Sequence, residues 1–386
     1  MKKKVRIAID VLSDVPGQSG QVNIFKNILR LLPEIRPNWD FYIFSTKKLT
    51  EYYQEKISKK QENVNWINCW YDNNNGSAKR IITQEIQVPY LLNKYKIDVF
   101  LCFPLPFFTP FQKVKTIHRH TCSISIINEV KSKSMRYRLE KLLFSIKKAD
   151  ITIFNSNFER ENVRSIGIKE KNSSIIWESY DNNIFSLDKD YNVRKEIEKL
   201  FLVDKKVIFI PTGIQPWKNS DLIINFINNN KENLEHKYIF VFTGSSDPEY
   251  FNKLKDKYND VFKTDLIYLA GFCSHEEIAF IGKNSFLVIY PSLVETFGIP
   301  PLEMMSLKKP VIISNIPPLL EISGGGSLSF NASSVNDLTE KFFYLINNPD
   351  EMNKLANKGF EYVKQFSWKK NAEETALLID KVLDIN

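Results

Sequence analysis

The stretch ETFGIPPLE, residues 295–303, stands between two segments that read as buried β-strands, FLVIYPS at 286–292 and PVIIS at 310–314. It carries a carboxylate at each end, one glycine and two prolines. Glycine lets the backbone approach a ligand closely, and proline fits the first turn of a helix. The order strand, turn, helix, strand predicts one βα unit of a parallel sheet, with this turn at the carboxyl end of a strand.

The same alternation of short apolar runs and helical patterns extends along the chain. The predicted strands of the first part are VRIAID (5–10), FYIFS (41–45), VNWINCW (64–70), VFLCF (99–103), KVKTIH (113–118), ITIFNS (151–156) and SSIIW (173–177). A charged stretch at 181–206 interrupts the pattern, and we interpret it as a linker with a short helix. The alternation restarts with KVIFIP (206–211), YIFVFTG (238–244), LIYLAGF (266–272), FLVIYPS (286–292) and PVIIS (310–314), and three helices are predicted at 333–347, 349–365 and 367–385. The pattern predicts an α/β protein of two Rossmann-like domains that face one another across a cleft at the carboxyl ends of both sheets.

The bulk properties fit that class. The chain has 386 residues, of which 43% are apolar and 25% charged, as is normal for a soluble globular enzyme. No uncharged apolar run is long enough for a membrane-spanning helix. The four cysteines lie far apart without metal-ligand spacing, so we expect reduced thiols and a cytoplasmic protein. The net charge of +8 is compatible with nucleic acid, an anionic membrane or a phosphorylated substrate.

The residues of 295–303 have a chemical interpretation of their own. The start of the helix offers unpaired N–H groups and a positive dipole end, which suit a phosphate. Glu303, expected in the first helical turn, can accept two hydrogen bonds from a vicinal diol such as that of a ribose. Glu295, at the strand end, would meet whatever the phosphate carries. The alternative for Glu303 is a helix-start residue that complements the dipole, but that alternative does not account for Glu295 or Gly298.

The E-x7-E spacing, after a strand ending in PS, resembles the signature of the retaining glycosyltransferases of family four, which have the GT-B fold. The resemblance implies that Glu303 holds the donor ribose and that Glu295 contacts the donor sugar. It also implies that the amides around Phe297 and Gly298 hold the diphosphate and sugar hydroxyls.

The resemblance also gives the domains their expected roles. Residues 1–185 would be the acceptor-binding domain, and 186–366 the nucleotide-sugar-binding domain. Residues 367–386 would form a terminal helix that crosses back to the first domain.

Further donor-site residues follow from the same resemblance. In PTGIQPWKNSDLII (211–224), Lys218 matches the family lysine that neutralises the diphosphate, whereas Gly213 stands where the family often carries arginine. In FTGSSDPEY (242–250), Gly244 is expected to contact the donor through its backbone. The alternative for Lys218 is a solvated surface charge after a strand.

The first domain resembles the family more loosely. Gly20 lies in the loop that corresponds to the family's glycine-rich loop, although DVLSDVPGQSGQVNIF (10–25) is not GxGxxG and also fits a flexible loop. His118 matches the family histidine beside the donor sugar, at the end of a strand. The alternative for His118 is a structural histidine.

The chemistry implied is sugar transfer from a nucleotide-diphosphate sugar, in which the developing charge on the leaving diphosphate must be stabilised. Lys218, Glu295 and His118 are the predicted catalytic residues. We expect no cofactor and no metal, because the one DxD motif, DKD at 188–190, lies in the predicted linker. The expected enzyme retains configuration and moves a hexose-type sugar to a glycan or lipid-linked acceptor in surface polysaccharide or glycolipid assembly. The alternative is a catalytically weak or inactive GT-B protein that serves as a binding subunit of a glycosyltransferase complex.

One segment concentrates positive charge. Residues 131–148, KSKSMRYRLEKLLFSIKK, hold seven basic residues against Glu140, with leucines and an isoleucine at helical spacing. One interpretation is a sheet-covering helix with a solvated basic face. The other is docking on an anionic membrane surface, as a peripheral protein of the inner face. The segment lacks an RNA-binding aromatic motif, so no nucleic-acid role is expected.

Overall fold

The computed structural model describes residues 4–14, 21–57, 61–70, 77–103, 106, 114–121 and 133–384, and every structural statement below concerns these residues. The chain forms two compact units. Unit 1 comprises residues 1–178 and 367–386, and unit 2 comprises residues 179–366. The predicted boundary followed residue 185, whereas the two units divide after Glu178.

Unit 1 is built on a sheet of seven parallel strands in the order β3-β2-β1-β4-β5-β6-β7. The strands are β1 Arg6–Asp10, β2 Asp40–Ser45, β3 Val64–Asn68, β4 Val99–Cys102, β5 Lys115–His120, β6 Ile151–Phe154 and β7 Ser173–Ile175. All four residues of β4 and all four of β6 are buried, as expected for inner strands of a parallel sheet that helices cover on both faces.

The helices of unit 1 before residue 178 connect these strands. They are α1 Gln21–Ile35, α2 Lys47–Ile57, α3 Ser77–Ile82, α4 Val88–Lys94, α5 Lys133–Lys148 and α6 Asn157–Ser165, and a π-helical turn, Thr83–Gln87, joins α3 to α4. Ile24, Phe25 and Ile28 of α1 pack in the core with β1 and β2, at the spacing of one helix face.

Unit 2 repeats the architecture with six parallel strands in the order β10-β9-β8-β11-β12-β13. They are β8 Lys206–Ile210, β9 Tyr238–Phe242, β10 Ile267–Leu269, β11 Leu287–Tyr290, β12 Val311–Ser314 and β13 Leu328–Phe330. The short strand β13 was not predicted, since LSF carries no strand pattern by itself. It is a strand because it pairs with β12, with Ile313 opposite Ser329.

The helices of unit 2 are α7 Lys195–Lys199, α8 Ser220–Asn229, α9 Lys231–Leu234, α10 Pro248–Lys257, α11 Asn259–Phe262, α12 His275–Asn284, α13 Ile299–Ser306, α14 Pro317–Ser323, α15 Val335–Asn347 and α16 Pro349–Val363. A single 3-10 turn, Pro216–Lys218, precedes α8. Helix α12 begins with a capping box, because the Ser274 side chain accepts from the Glu277 N–H and the Glu277 side chain accepts in return from the Ser274 N–H.

The terminal helix α17, Trp368–Val382, belongs to unit 1, where Ala372, Ala376 and Ile379 join the core. Arg119 of β5 is fully buried beneath it and donates to Asn371 Oδ1 (3.3 Å) and Thr375 Oγ1 (3.5 Å). Arg36 of α1 forms a partly buried ion pair of 2.7 Å with Asp380. Among the described helices, none is long and apolar enough to cross a bilayer.

The stretch at 181–206 is not a free linker. It belongs to unit 2, where Phe185 and Ile197 are buried. Arg194 pairs with Glu277 at 2.5 Å. The short helix that we predicted within the stretch is present as α7, but this packing anchors the stretch to unit 2.

Each sheet has one point where the strand order reverses direction along the chain. In unit 2 the chain runs outward from β8 through β9 to β10 and then returns to place β11 on the other side of β8. In such sheets, ligands bind outside the carboxyl ends of the strands at this switch point. The loops after β8 and β11 are therefore the part of unit 2 in which a ligand site is expected.

Candidate active site

Lys218 is the last residue of the 3-10 turn that follows β8. Pro216 starts the turn, and Asn219 ends it in the left-handed region at φ +57°. The Asn219 side chain donates to the Ala332 carbonyl (2.8 Å), and the Gln215 N–H donates to Ser220 Oγ (3.1 Å). These bonds fix the turn from both sides, so the lysine starts from a rigid backbone.

Glu295 extends from the loop after β11 and meets Lys218. The Lys218 Nζ lies 2.5 Å from Glu295 Oε1, and most of both side chains is buried. The loops that carry them are joined as well, because the Leu293 N–H donates to the Trp217 carbonyl (2.9 Å). Lys218 is thus a partly buried, paired cation rather than a solvated surface charge.

Tyr290, the last residue of β11, completes a triangle with this pair. Its hydroxyl donates to Glu295 Oε1 (2.6 Å) and accepts from Lys218 Nζ (3.1 Å). Burial and the neighbouring Glu295 raise the pKa of the Tyr290 hydroxyl well above its usual range, so it stays a donor. The sequence analysis missed Tyr290, although a tyrosine at the end of a buried strand, five residues before a predicted site glutamate, was a usable signal.

Glu303 lies in α13, and the structure corrects its predicted place in that helix. Gly298 caps α13 at φ +103°, and Ile299, Pro300 and Pro301 begin it, so Glu303 falls in the second turn and no acidic residue occupies the first. The prolines are in the first turn, as predicted. The helix-start explanation for Glu303 loses its basis, because a carboxylate interacts with the dipole mainly within the first turn.

The environment of Glu303 changes its protonation. Burial, together with the charge of Asp181, raises the pKa of the Glu303 carboxyl to about 8. Without a ligand, Glu303 therefore holds a proton at neutral pH. A ligand that donates hydrogen bonds to this carboxyl would favour the ionised form instead.

The glycines predicted to contact the donor have close backbone neighbours. A Cβ at Gly213 would lie 1.9 Å from the Ser245 carbonyl oxygen, and a Cβ at Gly244 would lie 3.1 Å from the Gly213 nitrogen. The loops after β8 and β9 thus pack backbone to backbone, and Gly244 takes φ +104°. This packing gives a physical reason for glycine at 213, where an arginine would collide with the neighbouring loop.

Phe297 and Gly298 lie at the turn before α13. The Phe297 side chain is buried and packs edge-on against Phe366, with ring centroids 6.2 Å apart. A Cβ at Gly298 would lie 2.4 Å from a methyl group of Leu319, so the turn also packs tightly on α14. The Phe297 ring is therefore a core side chain, and any ligand contact at this position would use the backbone.

The structure does not bring all predicted site residues into one unit. Lys218, Glu295 and Glu303 lie in unit 2, whereas His118 lies in β5 of unit 1, and Gly20 is outside the described residues. His118 is buried, and among the described residues neither ring nitrogen has a hydrogen-bond partner. Burial and the neighbouring His120 lower the pKa of His118 to about 3, so its ring is neutral.

The basic segment of unit 1 departs from its prediction at Lys141. Lys141 is buried rather than part of a solvated face, and its Nζ lies 2.5 Å from Glu85 Oε1 and 3.1 Å from Gln84 Oε1. Leu142 and Ile146 are buried, as expected for the apolar side of a sheet-covering helix.

Comparison with known proteins finds a family similar to unit 2. Residues 192–362 match the family model described as Glycosyl transferases group 1. The region includes Lys218, Tyr290, Glu295 and Glu303.

Two curated relatives are similar over part of their length. An uncharacterized glycosyltransferase of Methanocaldococcus jannaschii is 36% identical over 160 residues, which cover 40% of this chain and 42% of the relative. An O-antigen chain mannosyltransferase of Salmonella typhimurium is 28% identical over 196 residues, 47% of this chain and 54% of the relative. The chain thus spans about half the length of these relatives, or less.

Solved structures are similar over the whole chain. The sucrose-phosphate synthase of Thermosynechococcus elongatus has a TM-score of 0.75 at 16% identity and covers 99% of this chain and 100% of its own. A structure of the Anabaena protein HepE in complex with UDP and glucose has a TM-score of 0.71 at 14% identity, and the match covers 98% of this chain and 100% of the HepE chain. The likeness shows the fold, and the predicted α/β fold of the GT-B class is confirmed.

Proposed function

We propose that this chain is a glycosyltransferase that moves a hexose-type sugar from a nucleotide-diphosphate sugar to a glycan or lipid-linked acceptor, in surface polysaccharide or glycolipid assembly. The observation that carries the proposal is the contact of Lys218, Glu295 and Tyr290 at the switch point of the unit 2 sheet, inside the matched glycosyltransferase region. The mannosyltransferase among the relatives and the HepE complex with UDP and glucose suggest two donors to test first, a mannose and a glucose conjugate.

The triangle suits a leaving diphosphate. Breaking the bond between the sugar C1 and the diphosphate oxygen leaves new negative charge on that oxygen, and a preorganised cation stabilises it. In the ligand-free chain, Glu295 neutralises Lys218. A bound diphosphate would compete with Glu295 for the ammonium group, and the Tyr290 hydroxyl would keep its hydrogen bond to the released carboxylate.

The remaining donor contacts come from α13. At the start of α13, the Gly298 and Ile299 N–H groups would meet the diphosphate, since Pro300 and Pro301 carry no N–H. Glu303, one turn later, would accept the hydroxyls of the donor ribose as an ionised carboxylate. His118 would act as a neutral group beside the donor sugar, where it can donate or accept a hydrogen bond but carries no charge.

Retention of configuration and independence from metal belong to the same proposal. Retention places the acceptor on the face that the diphosphate leaves, so Glu295 would orient the sugar rather than activate water. Lys218 and the start of α13 would stabilise the diphosphate charge without a metal ion. Residues 131–148 would bring the enzyme to an anionic inner membrane face.

A binding experiment with purified protein tests the donor site. Thermal unfolding is followed for the wild type, Lys218→Ala and a control, Lys257→Ala, with UDP, GDP and their glucose and mannose conjugates. Lys257 is an exposed lysine of the same unit that pairs with Asp221. A nucleotide at about a hundred times its Kd stabilises the folded chain by about 2.7 kcal/mol. We expect one nucleotide to stabilise the wild type and the control, and Lys218→Ala to lose most of that shift.

Transfer is measured next with the nucleotide that binds. Release of nucleoside diphosphate with chelator present, together with the anomeric configuration of the product by NMR, tests activity, metal independence and retention. Binding without turnover on any glycan or lipid-linked acceptor would favour the binding-subunit alternative. No nucleotide binding to the wild type would refute the proposed donor site.

A further inference from the structure

An exposed row of apolar side chains lies along one helix face of unit 1. Helices α3 and α4 and the π-helical turn form one helical run, Ser77–Lys94. Ile82, Ile86 and Tyr90 follow at four-residue intervals along it and are 47%, 59% and 59% exposed. Such spacing places side chains on one face of a helix.

Trp70 lies beside the helical run. Its side chain is 63% exposed, and its backbone N–H donates to Gln87 Oε1 of the helical run (2.7 Å). We call Trp70, Ile82, Ile86 and Tyr90 the apolar stripe. One tryptophan and one tyrosine among four exposed apolar residues is the composition found where proteins meet the headgroup region of a bilayer.

The apolar stripe is not needed to hold the helical run in place. Val88, Leu91 and Leu92 on the other side of the run are buried in a core cluster with Ala8 and Phe100. The run is therefore apolar on both sides, although a surface helix normally presents polar residues to water. Contiguous exposed apolar residues of this kind mark a surface that meets a partner.

The basic helix α5 lies beside the helical run. Lys141 of α5 pairs with Glu85, and the Tyr137 hydroxyl donates to the same carboxylate (3.3 Å). Glu85 directly precedes Ile86 of the apolar stripe, and its side chain is 15% exposed. These contacts hold α5 beside the helical run, and Arg136, Lys147 and Lys148 of α5 are exposed.

These two segments carry nearly all of the chain's net charge. Residues 77–94 contain three basic residues and one acidic residue, and residues 133–148 contain six and one. Together they hold seven of the eight net positive charges, so the rest of the chain is almost neutral. The charge is thus localised next to the apolar stripe.

We propose that the apolar stripe and α5 form one docking surface for an anionic lipid bilayer. The stripe enters the headgroup region, and the exposed basic residues of α5 lie against lipid phosphates. This inference adds an insertion surface to the membrane contact proposed above. It rests on the proposed function in one respect only, that docking would give access to a lipid-linked acceptor. An apolar surface and a basic surface side by side match a bilayer better than either a second copy of this basic chain or a nucleic acid.

Vesicle binding of the full chain tests the proposal. The partition coefficient is measured by flotation with vesicles of phosphatidylcholine alone and with about one third phosphatidylglycerol. The stripe variant combines Ile82→Ser, Ile86→Ser and Tyr90→Ser, and its matched control is Leu377→Ser, a 61% exposed leucine of the same unit. We expect the wild type and the control to bind anionic vesicles equally, and the stripe variant to bind them more than about ten-fold more weakly.

The charge contribution is separated by a second variant, Arg136→Gln with Lys147→Gln and Lys148→Gln. Lys141 is left in place because it pairs with Glu85 inside unit 1. We expect weaker binding to anionic vesicles and a smaller loss of binding when salt is raised, since fewer charges remain to be screened.

Three results would overturn the proposal: a wild type that binds neither vesicle, a stripe variant that binds anionic vesicles as tightly as the wild type, or wild-type self-association in sedimentation velocity that the stripe variant abolishes. The last would assign the stripe to a second copy. All variants must show wild-type far-UV circular dichroism and thermal unfolding. Nucleotide binding, measured on the same samples, reports on the proposed donor site separately, so failure of one proposal is distinguishable from failure of the other.

Discussion

Replacing Glu303 with glutamine removes a titratable proton from the interior of unit 2 and keeps the shape of the side chain. The pKa of Glu303 is raised from an ordinary 4.5 to about 8, mainly by burial. The folded chain therefore holds one proton more than the unfolded chain between these two values. Because the folded state binds more protons, its stability decreases as the pH rises through that window.

The size of the effect follows from the two pKa values. Each pKa unit corresponds to about 1.4 kcal/mol, so between pH 6 and pH 9 this one group lowers the free energy of unfolding by about 2 to 3 kcal/mol. Glu303→Gln should not show this decrease in the free energy of unfolding. The control Glu232→Gln, an exposed carboxylate of the same unit, should keep the full wild-type dependence.

The same proton is linked to nucleotide binding. If only the ionised carboxyl accepts the ribose hydroxyls, the competent fraction is about one in a hundred at pH 6 and one in two at pH 8, so the affinity should rise about fifty-fold over that range. Glu303→Gln should bind more weakly at pH 8 and lose this rise. Titration of the diphosphate itself contributes equally to both proteins and cancels in the comparison.

Two measurements decide the question. Urea unfolding at several pH values gives the stability difference between wild type and variant, and isothermal titration calorimetry with the nucleoside diphosphate gives the affinities. Parallel stability profiles for wild type and Glu303→Gln would show that Glu303 does not hold a proton in the folded chain. Equal affinity profiles would remove Glu303 from the donor site.

Three further substitutions probe the site. Tyr290→Phe removes a hydrogen bond to a charged partner that is worth about 1.5 to 3 kcal/mol, so kcat/KM for transfer should fall roughly ten- to a hundred-fold. The control Tyr250→Phe should stay near the wild type, and an unchanged rate for Tyr290→Phe would contradict a role for the hydroxyl. Gly213→Arg should lower the free energy of unfolding, measured by urea unfolding, by more than about 2 kcal/mol, because its Cβ would meet the Ser245 carbonyl at 1.9 Å. A variant with wild-type stability and tighter nucleotide binding would refute the packing argument. His118→Asn should slow transfer without changing the shape of the pH–rate profile between about pH 5 and pH 9, since the His118 ring is neutral throughout that range. Loss of an ionisation from the profile of the variant would contradict the lowered pKa of His118.

Much of the fold could be predicted from the local pattern of apolar residues in the sequence. Strands such as β4 and β6 are buried on both faces, so their residues form continuous apolar runs that are visible in the sequence. The three closing helices were predicted from a different pattern, since each buries one side only. The three-residue strand β13 was not, because its pairing with β12 rather than its composition makes it a strand.

The candidate site could be predicted from the sequence only in part. The spacing of Glu295 and Glu303 and the position of Lys218 after a strand follow from the order of residues along the chain. The turn occupied by Glu303 did not follow, because the left-handed Gly298 caps α13 and the helix starts at Ile299, earlier than the sequence suggested. A shift of one turn in a helix changes which groups a carboxylate meets.

The sequence by itself determined the two sets of alternating strands and helices. It placed a lysine and a glutamate after strands, where a parallel sheet binds ligands, and a second glutamate in the helix that follows. Only the tertiary structure decided that Lys218 pairs with Glu295 and Tyr290, that Lys141 turns inward to Glu85, and that Glu303 holds a proton at neutral pH. The physical reason is common to all three. Ionisation and ion pairing depend on burial and on neighbours from distant segments, and packing sets both, whereas local pattern specifies only which face of a strand or helix is apolar.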